Sequence, residues 1–92
     1  MNVTVKTFAD LRELLGPEFA LPVPDGATVR DLLRILGSRS PALLRGILDD
    51  CGELKPYVNI LKGGRNIRFI KGLNTELTEG DVIAIFPPLA GG

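Results

Sequence analysis

The amino-acid sequence predicts one α+β domain, a mixed four- to five-stranded sheet with its helices packed on one face. Three observations carry this expectation. A chain of 92 residues is the size of one domain. Period-2 patterns of the strand type occupy both ends and helix-type spacing the middle, in the order β-β-α-(α)-β-β-β. Each helical segment has a single apolar stripe, so it covers one layer only. Runs of strands flanking one main helix argue against a doubly wound sheet, which would alternate its units.

The elements follow in order. Residues 2–8 alternate, with Val3 and Val5 on one parity and Asn2, Thr4 and Lys6 on the other, as a half-buried strand does. Phe8, Leu11, Leu14 and Leu15 then take helical spacing until Gly16-Pro17 ends the turn. A second strand is predicted over 18–23, and Pro24-Asp25-Gly26 supplies a tight turn. Thr28 and Asp31 resemble a capping box, and Val29, Leu32, Leu33 and Leu36 repeat at i, i+3, i+4 and i+7. The main helix is therefore expected over 29–36, closed by Gly37 as a left-handed cap. Ser40-Pro41 opens a second helix, its face formed by Leu43, Leu44, Ile47 and Leu48, running toward Gly52. The remainder is strand-like: 57–62, a Gly63-Gly64 turn, 67–70, a loop to Leu77, the turn Thr78-Glu79-Gly80-Asp81, and 82–86.

Parity assigns the sheet faces. Val3, Val5, Val58, Ile60, Ile67, Phe69, Ile83 and Ile85 are expected inward, beneath the helices. The opposite set holds Lys6, Asn59 and Arg68 but also Phe8, Ile70, Val82 and Phe86, an apolar group on the helix-free face that a partner would cover. The alternative is that Phe8 and Phe86 tuck under a loop or into the core rim.

Charge and composition exclude several function classes. Eleven basic and eleven acidic residues give zero net charge, so no strong field draws the chain to nucleic acid or an anionic membrane. Histidine is absent and Cys51 is the single thiol, which removes disulfide frameworks, zinc sites, Ser-His-Asp triads and Cys-His dyads. No apolar run reaches the ~20 residues of a membrane span, and MNVTVKTF lacks the form of a signal peptide. A cytoplasmic location is expected.

Domain organisation divides at Phe86: residues 1–86 form the folded domain, and 87–92 a flexible C-terminal tail. In that tail, Pro87 and Pro88 cannot continue a ladder, Leu89 and Ala90 follow, and Gly91-Gly92 carry no side chain. Such an end can thread a narrow channel and deliver one functional group, the α-carboxylate of Gly92. The carboxylate is a poor electrophile, so the chemistry implied is ATP-dependent adenylation by a partner, followed by displacement of AMP by sulfur or an amine. A terminal Gly-Gly also occurs without function. Here it follows directly on an apolar strand and Pro-Pro, with no charged side chain after Asp81.

The segments TFADLREL, GATVRDLL, NILKGGRNI and above all LTEGDVIAIFPPLAGG carry a resemblance spanning essentially the whole chain. The sequence resembles the ubiquitin-like β-grasp sulfur carriers, in particular the small subunit of molybdopterin synthase, and the archaeal small modifier proteins built on the same pattern. The resemblance implies that Gly92 is adenylated by an E1-like enzyme and converted to a thiocarboxylate for sulfur transfer in molybdenum or tungsten cofactor biosynthesis. In the modifier branch, Gly92 is instead conjugated to target-protein lysines. It implies no bound cofactor, ATP being used by the activating enzyme. Partners would be that enzyme and a synthase large subunit or target lysines, with neither nucleic acid nor membrane, and the free protein a monomer. The family's partner surface falls on Phe8, Ile70 and Phe86, with Pro87, Pro88, Leu89, Ala90 and Gly91 leading to the reactive end. A plain interaction domain without tail chemistry remains the further alternative.

Other features admit two readings. Lys62, Arg65, Arg68 and Lys71 form an acid-free basic stretch, either a steering surface or a solvated edge that resists strand pairing. Gly63-Gly64-Arg65 lacks the Lys-Ser/Thr and helix of a phosphate loop and reads as a hairpin turn. Cys51, beside Asp49 and Asp50, is expected to be structural or inert, and the two acids to face water in preference to binding a cation.

Overall fold

The computed structural model describes residues 1–87, and the expectations for Pro88, Leu89, Ala90, Gly91 and Gly92 lie outside the described residues. Strands β1 (Asn2–Thr7), β2 (Glu18–Pro22), β3 (Asn59–Lys62), β4 (Arg65–Asn66) and β5 (Val82–Phe86) form one sheet in the order β2-β1-β5-β3-β4. The central β1 and β5 run parallel, and the outer pairings are antiparallel. Helices α1 (Asp10–Leu15), α2 (Val29–Arg39) and α3 (Pro41–Ile47) complete the described elements, with short 3-10 turns at Ile67–Phe69 and Gly72–Asn74. This is a β-grasp arrangement, a mixed sheet holding its main helix on one face.

The period-2 strands bury one parity completely. Val3, Val5, Ile60, Ile83 and Ile85 meet Leu32, Leu33 and Leu36 of α2 and Leu43 and Ile47 of α3 in one core. The predicted capping box of α2 is present. Asp31 Oδ2 accepts from the Thr28 backbone N–H at 2.9 Å, and Thr28 Oγ1 accepts from the Asp31 N–H at 3.4 Å. The Thr28 N–H bond, more than the neighbouring Arg34 and Arg30 charges, holds the Asp31 carboxyl below its usual range.

Three expectations are corrected. Gly37 does not close α2. The helix runs on to Arg39 and ends at Ser40, which the following Pro41 pushes into extended backbone (φ −146°, ψ 93°). Gly37 is buried within the helix because α3 crosses there: a Cβ at this position would overlap the Leu44 side chain. The second correction concerns α3, which ends at Ile47 instead of continuing toward Gly52. The chain turns back there, with Asp49 Oδ1 accepting the N–H groups of Cys51 (2.8 Å) and Glu53 (3.0 Å), so Asp49 is a turn-forming residue although exposed.

The third correction is at 67–70, expected as a strand. Pairing stops at Asn66, whose side chain accepts the Arg68 N–H at 3.0 Å and starts a 3-10 turn. Alternation ends with the strand. Ile67 is buried, but Phe69, expected inward, is 74% exposed. Gly63 and Gly64 make the β3–β4 hairpin at φ +56° and +85°, the left-handed geometry that such a turn requires.

Candidate functional site

β1 and β5 bring the predicted aromatic residues together. Their parallel register sets Thr7 against Ile85, so the next residues, Phe8 and Phe86, stand side by side on the face opposite the helices. Their rings stack, with centroids 4.2 Å apart and planes 11° from parallel. Each ring is half-buried, an outcome between the two sequence readings, because each covers one face of the other. Val82, on the same parity of β5, is 37% exposed. Ile70 is 38% exposed but lies in the turn after Phe69, not on a strand.

Polar pairs frame the rings. Asn59 stands opposite Phe86 in the β3–β5 register, and its Oδ1 accepts from Asn66 Nδ2 at 3.0 Å. On the same face Lys6 and Glu18 approach to 3.8 Å across β1 and β2, whereas Lys62 and Asp81, 3.5 Å apart, lie on the helix-side parity, with Lys62 opposite Ile83. The exposed Lys6–Glu18 pair contributes little stability.

Two backbone features fix where the chain enters and leaves this face. Ala9, directly after Phe8, adopts φ +53° and ψ −132°, a region that favours glycine. That strained turn ends β1 at once and starts α1 at Asp10. At the other strand, Pro87 turns to the helix side and lines a groove with Leu11, Leu14, Leu43 and Ile47. The exit from β5 therefore passes between the aromatic stack and an apolar groove in which Leu14 is 51% exposed.

The basic stretch is partly structural. Arg68 donates to backbone carbonyls of Lys55, Pro56 and Val58, Arg65 to that of Phe69, and Lys62 pairs with Asp81. Cys51 is an exposed free thiol. Among the described residues no three His, Cys, Asp or Glu side chains converge as a metal ion would require, and no helix is long and apolar enough to cross a membrane. Sequence reasoning missed the groove at Pro87 and the exposed Tyr57. Spacing alone could have flagged the groove, since Leu14 and Ala42 lie at the margins of apolar stripes.

Fold and site together define the class of a ubiquitin-like β-grasp protein whose last strand ends in a stacked aromatic pair at the base of its C-terminal segment. The ThiS family model matches residues 5–92, and the chain belongs to that family. It is 41% identical to small archaeal modifier protein 3 of Haloferax volcanii over 93 residues, covering 100% of both chains. It is 30% identical to the molybdopterin synthase sulfur carrier subunit of Escherichia coli over 90 residues, 98% of this chain and 99% of that one. The crystal structure of SAMP1 from Haloferax volcanii superposes with a TM-score of 0.83 at 35% identity, covering 100% of each chain. The family is thus one of ubiquitin-like sulfur carriers and small modifiers, proteins that are acted on and do not catalyse, and the chain is one of its members.

Proposed function

We propose that the Gly92 carboxylate is the reactive group of this protein. An E1-like partner would bring ATP, and the carboxylate oxygen would attack its α-phosphorus, releasing pyrophosphate and leaving an acyl adenylate. A sulfur nucleophile then displaces AMP to give a thiocarboxylate, which donates its sulfur to a molybdopterin precursor in a synthase large subunit. In the alternative branch a lysine Nζ attacks the activated carbonyl and forms an isopeptide bond. Both begin with the same adenylate, and both use the chain as substrate.

One observation carries the reading: the Phe8–Phe86 stack sits on the helix-free face at the end of the strand that leads into the Pro-Pro-Leu-Ala-Gly-Gly segment. A partner gripping the stack would hold the chain where β5 ends and that segment begins. The conjugation branch is favoured by the 41% identity to a modifier over the whole of both chains.

Intact mass and peptide mapping of the protein from its native cells test the reading. A thiocarboxylate adds the mass difference between sulfur and oxygen, and conjugation leaves Gly-Gly remnants on lysines of other proteins. Removing Gly92 is expected to abolish both signals while leaving the melting temperature unchanged. A shortened chain that is still adenylated would overturn the proposal.

A further inference from the structure

Tyr57 and Phe69 are the most exposed large hydrophobic side chains among the described residues, at 77% and 74%. Arg68 ties together the two segments that carry them. Its guanidinium donates to the carbonyls of Lys55 (2.8 Å), Pro56 (3.4 Å) and Val58 (2.7 Å), on both sides of Tyr57, and Phe69 follows it directly. Arg65 donates to the Phe69 carbonyl at 3.2 Å. These acceptors are neutral, so neither guanidinium charge is cancelled.

The surrounding sequence adds to that imbalance. Residues 54–75 hold Lys55, Lys62, Arg65, Arg68 and Lys71 and no carboxylate. Of these, only Lys62 has an acidic partner among the described residues. Singly exposed apolar side chains need no explanation. Two exposed aromatics on segments tied by an arginine, with four of the five nearby cations lacking an acidic partner among the described residues, have the composition of an interface centre, where Tyr, Phe and Arg are enriched. The β3–β5 register sets Asn59 against Phe86, so Tyr57, two residues earlier, lies just past the end of that pairing and beside the exit from β5.

We propose that this edge is a second docking surface, separate from the Phe8–Phe86 stack, for an acidic segment of a partner protein. The partner's carboxylates meet Arg65, Arg68 and Lys71, and its apolar side chains meet Tyr57 and Phe69. Charge complementarity selects this occupant. Single-stranded nucleic acid also uses cations and stacking rings. Its affinity, however, rests on many phosphate contacts, which a chain of zero net charge is poorly built to supply. The docking surface does not depend on the chemistry of Gly92.

The test is an amide-resolved NMR titration of the full chain at low salt with a synthetic peptide alternating Glu with Leu and Phe. A lysine version of the peptide and oligouridylate serve as competing probes. Shifts are expected to centre on residues 55–58 and 65–71, with affinity falling about tenfold from tens to hundreds of millimolar NaCl. Tyr57→Ala with Phe69→Ala is expected to weaken binding about tenfold without changing the melting temperature, since both rings are exposed. Arg65→Glu with Lys71→Glu should reverse the preference toward the lysine peptide. Absence of shifts, shifts centred on Phe8 and Phe86, or tighter binding of oligouridylate than of the acidic peptide would overturn the proposal.

Discussion

The two faces of the sheet are built from the same strands, with alternate residues sent to each, and they meet different fates. On the helix side Val3, Val5, Ile60, Ile83 and Ile85 are at most 1% exposed, and every polar side-chain atom buried among the described residues has a hydrogen-bond partner. On the other side Phe8 and Phe86 rely on each other for cover, and their neighbours are an exposed ion pair, a hydrogen bond between two asparagine side chains and the partly open Val82. A period of two therefore separates core from surface within one strand. Ile85 belongs to the core and Phe86, its neighbour in sequence, to the helix-free face.

The largest expected effect tests that division directly. Ile85→Ala should cost about 2–5 kcal/mol, because it removes fully buried atoms from a packed core. Phe86→Glu should cost about 1 kcal/mol, the loss of one ring-on-ring contact and partial burial. Chemical denaturation measures both. The same Phe86 variant should strongly lower the fraction of protein recovered from native cells with an activated or conjugated end. Equal destabilisation by the two substitutions would erase the distinction between the faces.

How far the sequence foretold the two faces depends on what sets each element. Strands β1, β3 and β5 were legible from alternation, since one buried face forces period 2, and their core residues came out as expected except where the strand itself failed. Asn66 shows why it failed. A side chain that can accept a nearby N–H offers the backbone an alternative to the ladder, and Ile67–Phe69 took it. That local choice exposed Phe69 and put Arg68 against three carbonyls, a set of contacts with no one-dimensional signature. Gly37 was misread for a related reason. Glycine is needed both for left-handed caps and for close helix crossings, and only the position of Leu44 decides between them. Of the site, the pairing of Phe8 with Phe86 was implicit in parity, whereas the turn of Pro87 into a groove was not.

A sharper form of the comparison uses two glycines within the helical layer. Gly37→Ala gains helix propensity but drives a methyl group into Leu44, and overpacking of this kind costs about 1–3 kcal/mol. Gly46, exposed in α3 with nothing within 4 Å of an added Cβ, should behave oppositely. Gly46→Ala is expected to stabilise by up to about 1 kcal/mol through propensity alone. Thermal melts of the two variants are expected to move in opposite directions. Stabilisation by both would mean that α2 and α3 do not cross as closely as the buried Gly37 indicates.

The smallest effect concerns acid, and it separates the faces by pH. Asp31 caps α2, and its bond from the Thr28 N–H favours the ionised carboxylate in the folded state. The folded-state value therefore lies below the unfolded one, so the unfolded chain binds the proton more readily. The stability that Asp31 contributes is fully present above the ordinary carboxylate range and is lost as pH falls through that range toward the folded-state value. Asp31→Ala should accordingly lower the melting temperature at neutral pH, with a difference from the parent that shrinks in acid. Since α2 covers only one face, the acid-induced loosening should appear as faster amide exchange in the first turn of α2, while β1 and β5 amides near Phe8 and Phe86 keep their protection until global unfolding. A difference between parent and variant that stays constant down to the lowest pH would show that the Thr28 hydroxyl and backbone hold the helix start without the charge.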